Sequence, residues 1–495
     1  MATKNLISSG LLIYVVALAA SLILILTNFE NDLGFFPDSM AYLEVSQNIA
    51  DGEGIVNDKG SLVSIWPPLF PILLAIASLI SGMSTLEAGL YLNSILLFAT
   101  TILFYKILKK LKIANLFALS ITLLFLLSHP ISLFNYYLSE GLFLFLLLSS
   151  FLYYIKYLNF KKTKFLLASG IFCGFMFLTR YAGIGFIGAY FIFLLLIKRS
   201  FFYNLKKLLI FIIPQALVII PWFLYIASFD ETQPIRKFSV HIMPWAKLES
   251  FFLSIAYWFI GGDIARLFFP FLLVFFLIMY KKYDIEIREL VSSVFSNYRK
   301  IILAALTLII CYVGFLFVTV NFFDQVTPLD RRILAPIFPF MLILLGIFLN
   351  YFKGQPHLKI FSFSILLFLL LNFSGSVLPL WFHHYKNGSG YTKITWKQSD
   401  AILSLNSVDD DLPVYSNAIE IITLHTSHSA RIIPGKSNRE NLNSIKQEIY
   451  EGKAILVFLD AVNWRNYLIP KQELLEEFDS FEISCLEDGF IIKKK

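Results

Sequence analysis

The ionisable side chains that could do chemistry in this chain stand at the edges of long apolar runs rather than inside them. They are Asp38 and Glu44, Glu140, Arg180, Asp230 and Glu231, Asp263 and Arg266, Asp324, and the run Asp330-Arg331-Arg332. Carboxylates and guanidiniums at one level suit two tasks. A carboxylate accepts a proton from a hydroxyl nucleophile, and a guanidinium stabilises an anion. A proton-coupled carrier needs ionisable relays at mid-depth, and the charge-poor runs argue against one.

The elements that must position these residues follow from composition. Hydrophobic residues make up 57% of the 495 positions and charged residues only 15%, far from the globular norm. Most of the chain therefore belongs in lipid, and runs near the roughly 20 residues of a spanning helix, separated by short Lys/Arg-rich segments, predict a helical membrane protein. The first run, 11 to 26, follows Lys4 and continues past the cleavage-like Ala17-Leu18-Ala19, which predicts an uncleaved first span. Further spans are expected near 87–105, 114–129, 138–155, 165–179, 182–197, 208–228, 264–280, 301–320, 333–351 and 360–381. The run 66–80 opens with Trp66-Pro67-Pro68. If it crossed, Lys106, Lys109, Lys110 and Lys112 would lie outside, against the positive-inside tendency, so an interfacial or re-entrant segment is expected there. This gives about eleven crossings, with the amino terminus cytoplasmic.

The expected fold class is thus an α-helical polytopic membrane protein with interfacial helices in the first outer loop and a C-terminal soluble α/β domain. The domains are expected at 1–381 and 382–495. In the latter, 413–417, 430–433, 454–459 and 481–492 read as strands and 441–450 as a helix, with Gly388-Ser389-Gly390 as a linker. The formal charge of +7 sits largely in loops beside spans, where orientation accounts for it, so no nucleic-acid partner is expected. The three cysteines, Cys173, Cys311 and Cys485, form neither a disulfide framework nor a metal motif.

With this threading the charged clusters share the non-cytoplasmic face, where a site meets both water and the outer leaflet. Such a site suits a substrate with a lipid tail and a polar head. Residues after Pro37 predict a helix along the interface, with Asp38 at its opening. The competing role for Asp38 is helix capping. For Glu140 it is a first-turn charge, and for the arginines it is headgroup anchoring or snorkelling.

The first outer loop with its Asp and interfacial helix, followed by Trp66-Pro67-Pro68-Leu69-Phe70-Pro71, resembles membrane glycosyltransferases of the GT-C superfamily. The likeness is to the protein O-mannosyltransferase and lipid A aminoarabinose transferase group with its bacterial relatives. Ser139-Glu140, Leu178-Thr179-Arg180-Tyr181, Arg331-Arg332-Ile333-Leu334-Ala335-Pro336 and the 413–417 strand add to it. The resemblance implies Asp38 as the catalytic carboxylate and a sugar carried on polyprenyl phosphate as donor. Asp38 would take the acceptor's proton as it attacks the anomeric carbon. Glu140 would orient the acceptor, share a proton with Asp38, or help hold a divalent ion. Arg180, Arg331 and Arg332 are the candidates for the donor phosphate, with one of the two adjacent arginines expected to face the site.

Tyr42, Trp66, Tyr137 and Tyr181 are candidates to pack on the sugar, although Trp and Tyr also collect at membrane interfaces for physical reasons alone. His129, His383 and His384 lack partners at ligand spacing and read as interfacial or structural. Metal use varies among these relatives, so no cofactor is assigned; Asp38 and Glu140 are the ligands to examine for Mg or Mn.

The expected function is inverting transfer of a sugar to a glycan, lipid or protein acceptor of the cell envelope, such as lipopolysaccharide. The site would be periplasmic and the protein would sit in the inner (plasma) membrane. The alternatives are a lipid-linked oligosaccharide polymerase or ligase and a lipid-linked sugar flippase; the latter needs polar residues along its path. A structural scaffold has no particular use for clustered carboxylates and arginines.

Overall fold

The computed structural model describes residues 2–195, 200–229, 238–261, 287–353 and 356–495, with isolated positions between 270 and 281. The expected span at 264–280 lies mostly outside the described residues, as do Asp230, Glu231, Asp263 and Arg266. Two compact units emerge. One comprises Met1–Thr27 and Ala41–Phe382, the other Asn28–Met40 and His383–Lys495.

The first unit is helical. Among the described residues seven helices are long and apolar enough to cross a membrane, or eight if the bent pair Asn115–Leu126 and His129–Asn135 counts as one. The seven are Gly10–Asn28, Thr85–Lys110, Glu140–Phe160, Phe201–Ala227, Ser292–Phe322, Arg331–Phe352 and Leu358–Asn387. The expected spans at 165–179 and 182–197 coincide with the short apolar helices Thr163–Thr179 and, among the described residues, Gly183–Leu195. The run opened by Trp66 forms the Leu69–Ser81 helix, which is also short and apolar. A helix at Trp245–Ile260 has no counterpart in the hydropathy reading.

Local chemistry fixes where these helices begin and cross. Ser84 and Glu87 form a reciprocal capping box ahead of Thr85–Lys110, while Lys109 and Lys110 end that helix in favour with its dipole. Asp330 caps the Arg331–Leu334 turn, accepting from the amides of Arg332 and Ile333, each at 3.0 Å. Where Thr163–Thr179 meets Phe201–Ala227, Gly170 lies against the chain itself. A Cβ there would stand 2.4 Å from the Phe211 carbonyl oxygen. Small residues at helix crossings let backbones approach this closely.

The second unit contains a five-stranded sheet: β1 (Val414–Ser416), β2 (Ala430–Ile432), β3 (Ile455–Leu459), β4 (Glu482–Leu486) and β5 (Gly489–Lys493). The order is β2-β1-β3-β5-β4, with β1 parallel to β2 and β3, and β5 antiparallel to β3 and β4. The single strand expected over 481–492 is therefore the β4–β5 hairpin. Helix Glu440–Tyr450 buries Leu442, Ile445 and Ile449, an apolar stripe at helical spacing, in the core formed with Leu456, Phe490 and Ile492.

Candidate functional site

The first unit builds a charged site around Glu140. The segment before it is pinned to helix Thr85–Lys110. Asn93 Nδ2 donates to the carbonyls of Phe134 and Tyr136, at 3.1 and 2.9 Å, and the Tyr137 hydroxyl donates to Thr85 O at 2.9 Å. Glu140 then opens helix Glu140–Phe160 with only 3% of its surface exposed. A carboxylate so buried demands compensation.

Two guanidiniums supply it. Glu140 Oε1 lies 2.5 Å from Arg180 Nη1 and 2.5 Å from Arg332 Nε. Glu140 Oε2 is buried with no hydrogen-bond partner among the described residues. The three side chains together carry a formal charge of +1. Burial works against the charge on Arg180, and the Glu140 carboxylate outweighs it, so the guanidinium pKa stands above its ordinary value. Phe143, Tyr312, Ile333 and Pro336 join the three charged residues in lining a small niche.

Arg331 takes another direction. Its guanidinium lies 4.3 Å from the ring centroid of Tyr257, which in turn packs against His129 at 5.1 Å between centroids. Adjacent residues in a helical turn point about 100° apart, so one of the pair reaching Glu140 excludes the other. Neither Tyr257 nor Tyr312 stands out in the sequence, because both lie inside apolar stretches. Tyr312 donates to Ile333 O at 2.8 Å and so fastens the arginine turn to helix Ile287–Phe322.

The aromatic candidates separate by environment. Tyr42 is 2% exposed, and its hydroxyl lies 3.1 Å from Ser139 Oγ, itself 3.5 Å from Arg180 Nη1. Tyr42 thereby adjoins the charged site. Its ring meets Phe70 edge-on at 5.2 Å and Trp66 at 6.2 Å. Tyr137 is fully buried in the anchoring role already described. Tyr181 donates to Ser64 O at 2.9 Å and accepts from Trp222 Nε1 at 3.0 Å, and burial pushes its phenol pKa up.

Asp38 belongs to the second unit. It is the second residue of helix Pro37–Ala50, inside the first turn rather than at the cap. The cap is closed by Ser39, whose Oγ accepts from Phe36 N at 3.1 Å while Ser39 N donates to Phe36 O at 2.9 Å. Among the described residues no group of three or more His, Cys, Asp or Glu side chains is placed to hold a metal.

A further cavity in the first unit is apolar. It has a volume of about 720 Å³ among the described residues and lies between Phe251, Phe259, Ile310, Val313, Ile337 and Leu345, among others. Ile337 connects it in sequence to the Ala335-Pro336 wall of the charged niche.

The family model for dolichyl-phosphate-mannose-protein mannosyltransferase matches residues 80–231. No curated protein matches the chain in sequence. Among solved structures, ArnT from Cupriavidus metallidurans in the apo state aligns with a TM-score of 0.58 at 13% identity, over 99% of this chain and 98% of that one. The same protein bound to undecaprenyl phosphate gives a TM-score of 0.58 at 13% identity over 97% of each chain. The oligosaccharyltransferase of Archaeoglobus fulgidus in complex with Zn and sulfate gives 0.53 at 12% identity, over 97% of this chain and 73% of that one. At these identities the shared property is the fold, and it runs through nearly the whole chain. The chain is a multi-pass membrane protein that shares its fold with ArnT and with the Archaeoglobus fulgidus oligosaccharyltransferase.

Proposed function

We propose that this protein is an inverting glycosyltransferase that moves a sugar from a polyprenyl-phosphate donor to an acceptor of the cell envelope. The observation that carries the reading is the buried Glu140 clamp, in which one carboxylate oxygen serves two guanidiniums. Such a cluster attracts an anion. The leaving polyprenyl phosphate gains negative charge as the glycosidic bond breaks, so fixed cations bind it better in the transition state than in the ground state. Arg331, engaged with an aromatic face rather than with Glu140, is the arginine we assign to the donor phosphate; Arg180 and Arg332 add to the field.

The apolar cavity that follows Ile337 suits part of an isoprenoid chain. The likeness to ArnT, which has been solved with undecaprenyl phosphate, supports the same donor class here. Glu140 Oε2 is the oxygen we assign to accept a substrate hydroxyl, and Tyr42 and Trp66 to pack on the sugar. Asp38 is assigned as the base that takes the acceptor's proton during one direct displacement, which inverts the anomeric centre. Two guanidiniums on Glu140 Oε1 repel a cation, so we assign no metal ion to Glu140. About eleven crossings, with the amino terminus cytoplasmic and the sheet-containing unit outside, complete the reading.

The test uses the purified full-length protein with synthetic farnesyl-phosphate glucose, mannose and arabinose and a cell-envelope extract as acceptor. Sugar transfer with release of farnesyl phosphate is expected, and Asp38→Asn should lose at least ~100-fold in turnover while remaining folded. No transfer from any donor, or full activity in Asp38→Asn, overturns the assignment.

A further inference from the structure

The segment that leads into Asp38 is held along its length by the C-terminal part of the chain. Asn31 Nδ2 donates to Tyr385 O at 3.0 Å, Lys397 Nζ donates to Glu30 O at 3.0 Å, and Thr392 Oγ1 shares its one proton between Leu33 O at 3.0 Å and Ser389 O at 2.9 Å. Phe35 pairs with Gly390 as a parallel bridge, and Tyr391 N donates to Phe35 O at 3.0 Å. Behind this contact Trp396 Nε1 donates to Gly390 O at 3.1 Å and His425 Nε2 to Tyr391 O at 2.8 Å. Gly388-Ser389-Gly390, which reads as a linker in the sequence, is therefore a built turn.

Gly390 is required there twice over. Its φ is +63°, and a Cβ would stand 2.0 Å from the Phe35 carbonyl oxygen. Little slack separates this clamp from the carboxylate. After Phe35 come Phe36, whose carbonyl and amide are both taken by Ser39, and Pro37, whose ring fixes φ.

Resting on the reading of Asp38 as the base, we infer that Gly390 and Thr392 are positioning residues that fix Asp38 from the C-terminal domain. The base is thus carried by the unit that contains the sheet. A misplacement of about 1 Å in a catalytic group costs roughly 100-fold, so this backbone contact sets turnover without touching substrate.

The experiment compares Gly390→Ala, Thr392→Val, Thr392→Ser and Asp38→Asn in the full chain, with the farnesyl-phosphate sugars as probes. Hydrogen–deuterium exchange over 28–42 supplies a second readout. Gly390→Ala and Thr392→Val are expected to lower kcat at least ~10-fold with the donor KM within about twofold, and to speed exchange over 33–40. Thr392→Ser keeps the hydroxyl and should retain wild-type kcat and protection. If Gly390→Ala fails to fold, the Thr392 pair decides alone. Wild-type kcat in Thr392→Val beside an inactive Asp38→Asn overturns the positioning role and leaves the base assignment standing. Full turnover in Asp38→Asn overturns the base assignment, and this role for the clamp with it.

Discussion

Glu140 and Arg332, 192 residues apart in the chain, meet through Oε1 and Nε at 2.5 Å, and Arg180 reaches the same oxygen. The contact ties the start of one spanning helix to the turn that opens another. It also converts two separate motifs into one electrostatic unit around a buried carboxylate.

Breaking that unit should damage stability and activity together. Glu140→Gln leaves two guanidiniums facing a neutral amide. Removing one partner of a buried ion pair costs about 3–5 kcal/mol, and the partial exposure of both arginines places the expected loss near the lower end. Thermal unfolding in detergent should show a lower midpoint, and sugar transfer should fall at least ~100-fold. A wild-type midpoint would show that the arginines are satisfied without the carboxylate.

The two adjacent arginines should behave differently. Arg331→Ala removes a cation stacked on Tyr257 but leaves the Glu140 clamp intact, so the donor KM should rise roughly tenfold with little change in the unfolding midpoint. Arg332→Ala should instead lower the midpoint. Donor titrations and thermal scans of both variants separate the roles, and identical behaviour would dissolve the distinction.

The C-terminal unit should carry a measurable pH dependence through His425. Burial depresses its pKa below 6.5, and Lys397 adds to the effect, while the hydrogen bond to Tyr391 O and the charge of Asp32 oppose it. The folded state therefore resists a proton that the unfolded chain accepts. That contribution is fully present above pH 6.5 and is lost as pH falls through 6.5 toward the depressed value. His425→Gln, which keeps a donor for Tyr391 O, should flatten the stability profile between pH 7.5 and 5.5. An unchanged slope would assign the dependence to other groups.

The helix crossing at Gly170 should tolerate almost nothing larger. Gly170→Ala places a methyl 2.4 Å from Phe211 O, so the helices must separate at a cost of about 1–3 kcal/mol. A lower unfolding midpoint is expected with donor KM unchanged. Gly188→Ala, where a Cβ meets nothing within 4 Å, serves as the control.

Much of the molecule was legible along the chain because hydropathy is local. Helices cover the expected spans at 87–105, 138–155, 208–228, 301–320, 333–351 and 360–381, and the strands at 414–416, 430–432 and 455–459 fall inside the stretches read from β-branched runs. The residues with ionisable chemistry were equally visible, since a charge at the edge of an apolar run is conspicuous. Helix Trp245–Ile260 was not, because turn formation and packing decide where such a helix starts and stops.

What the chain by itself determined was membrane embedding, helix placement and the set of charged residues available for chemistry. Only the tertiary structure decided that Arg332 and not Arg331 meets Glu140, since that choice depends on helix rotation of about 100° per residue. It alone placed Asn28–Met40 with the C-terminal domain, through the Tyr391 N to Phe35 O hydrogen bond and the side-chain donors of Asn31, Thr392 and Lys397, each meeting a backbone carbonyl hundreds of residues away. Local sequence sets which groups exist and which segments coil. Contacts between residues hundreds of positions apart are set by packing and backbone geometry, and those contacts give Asp38 and Glu140 their different surroundings.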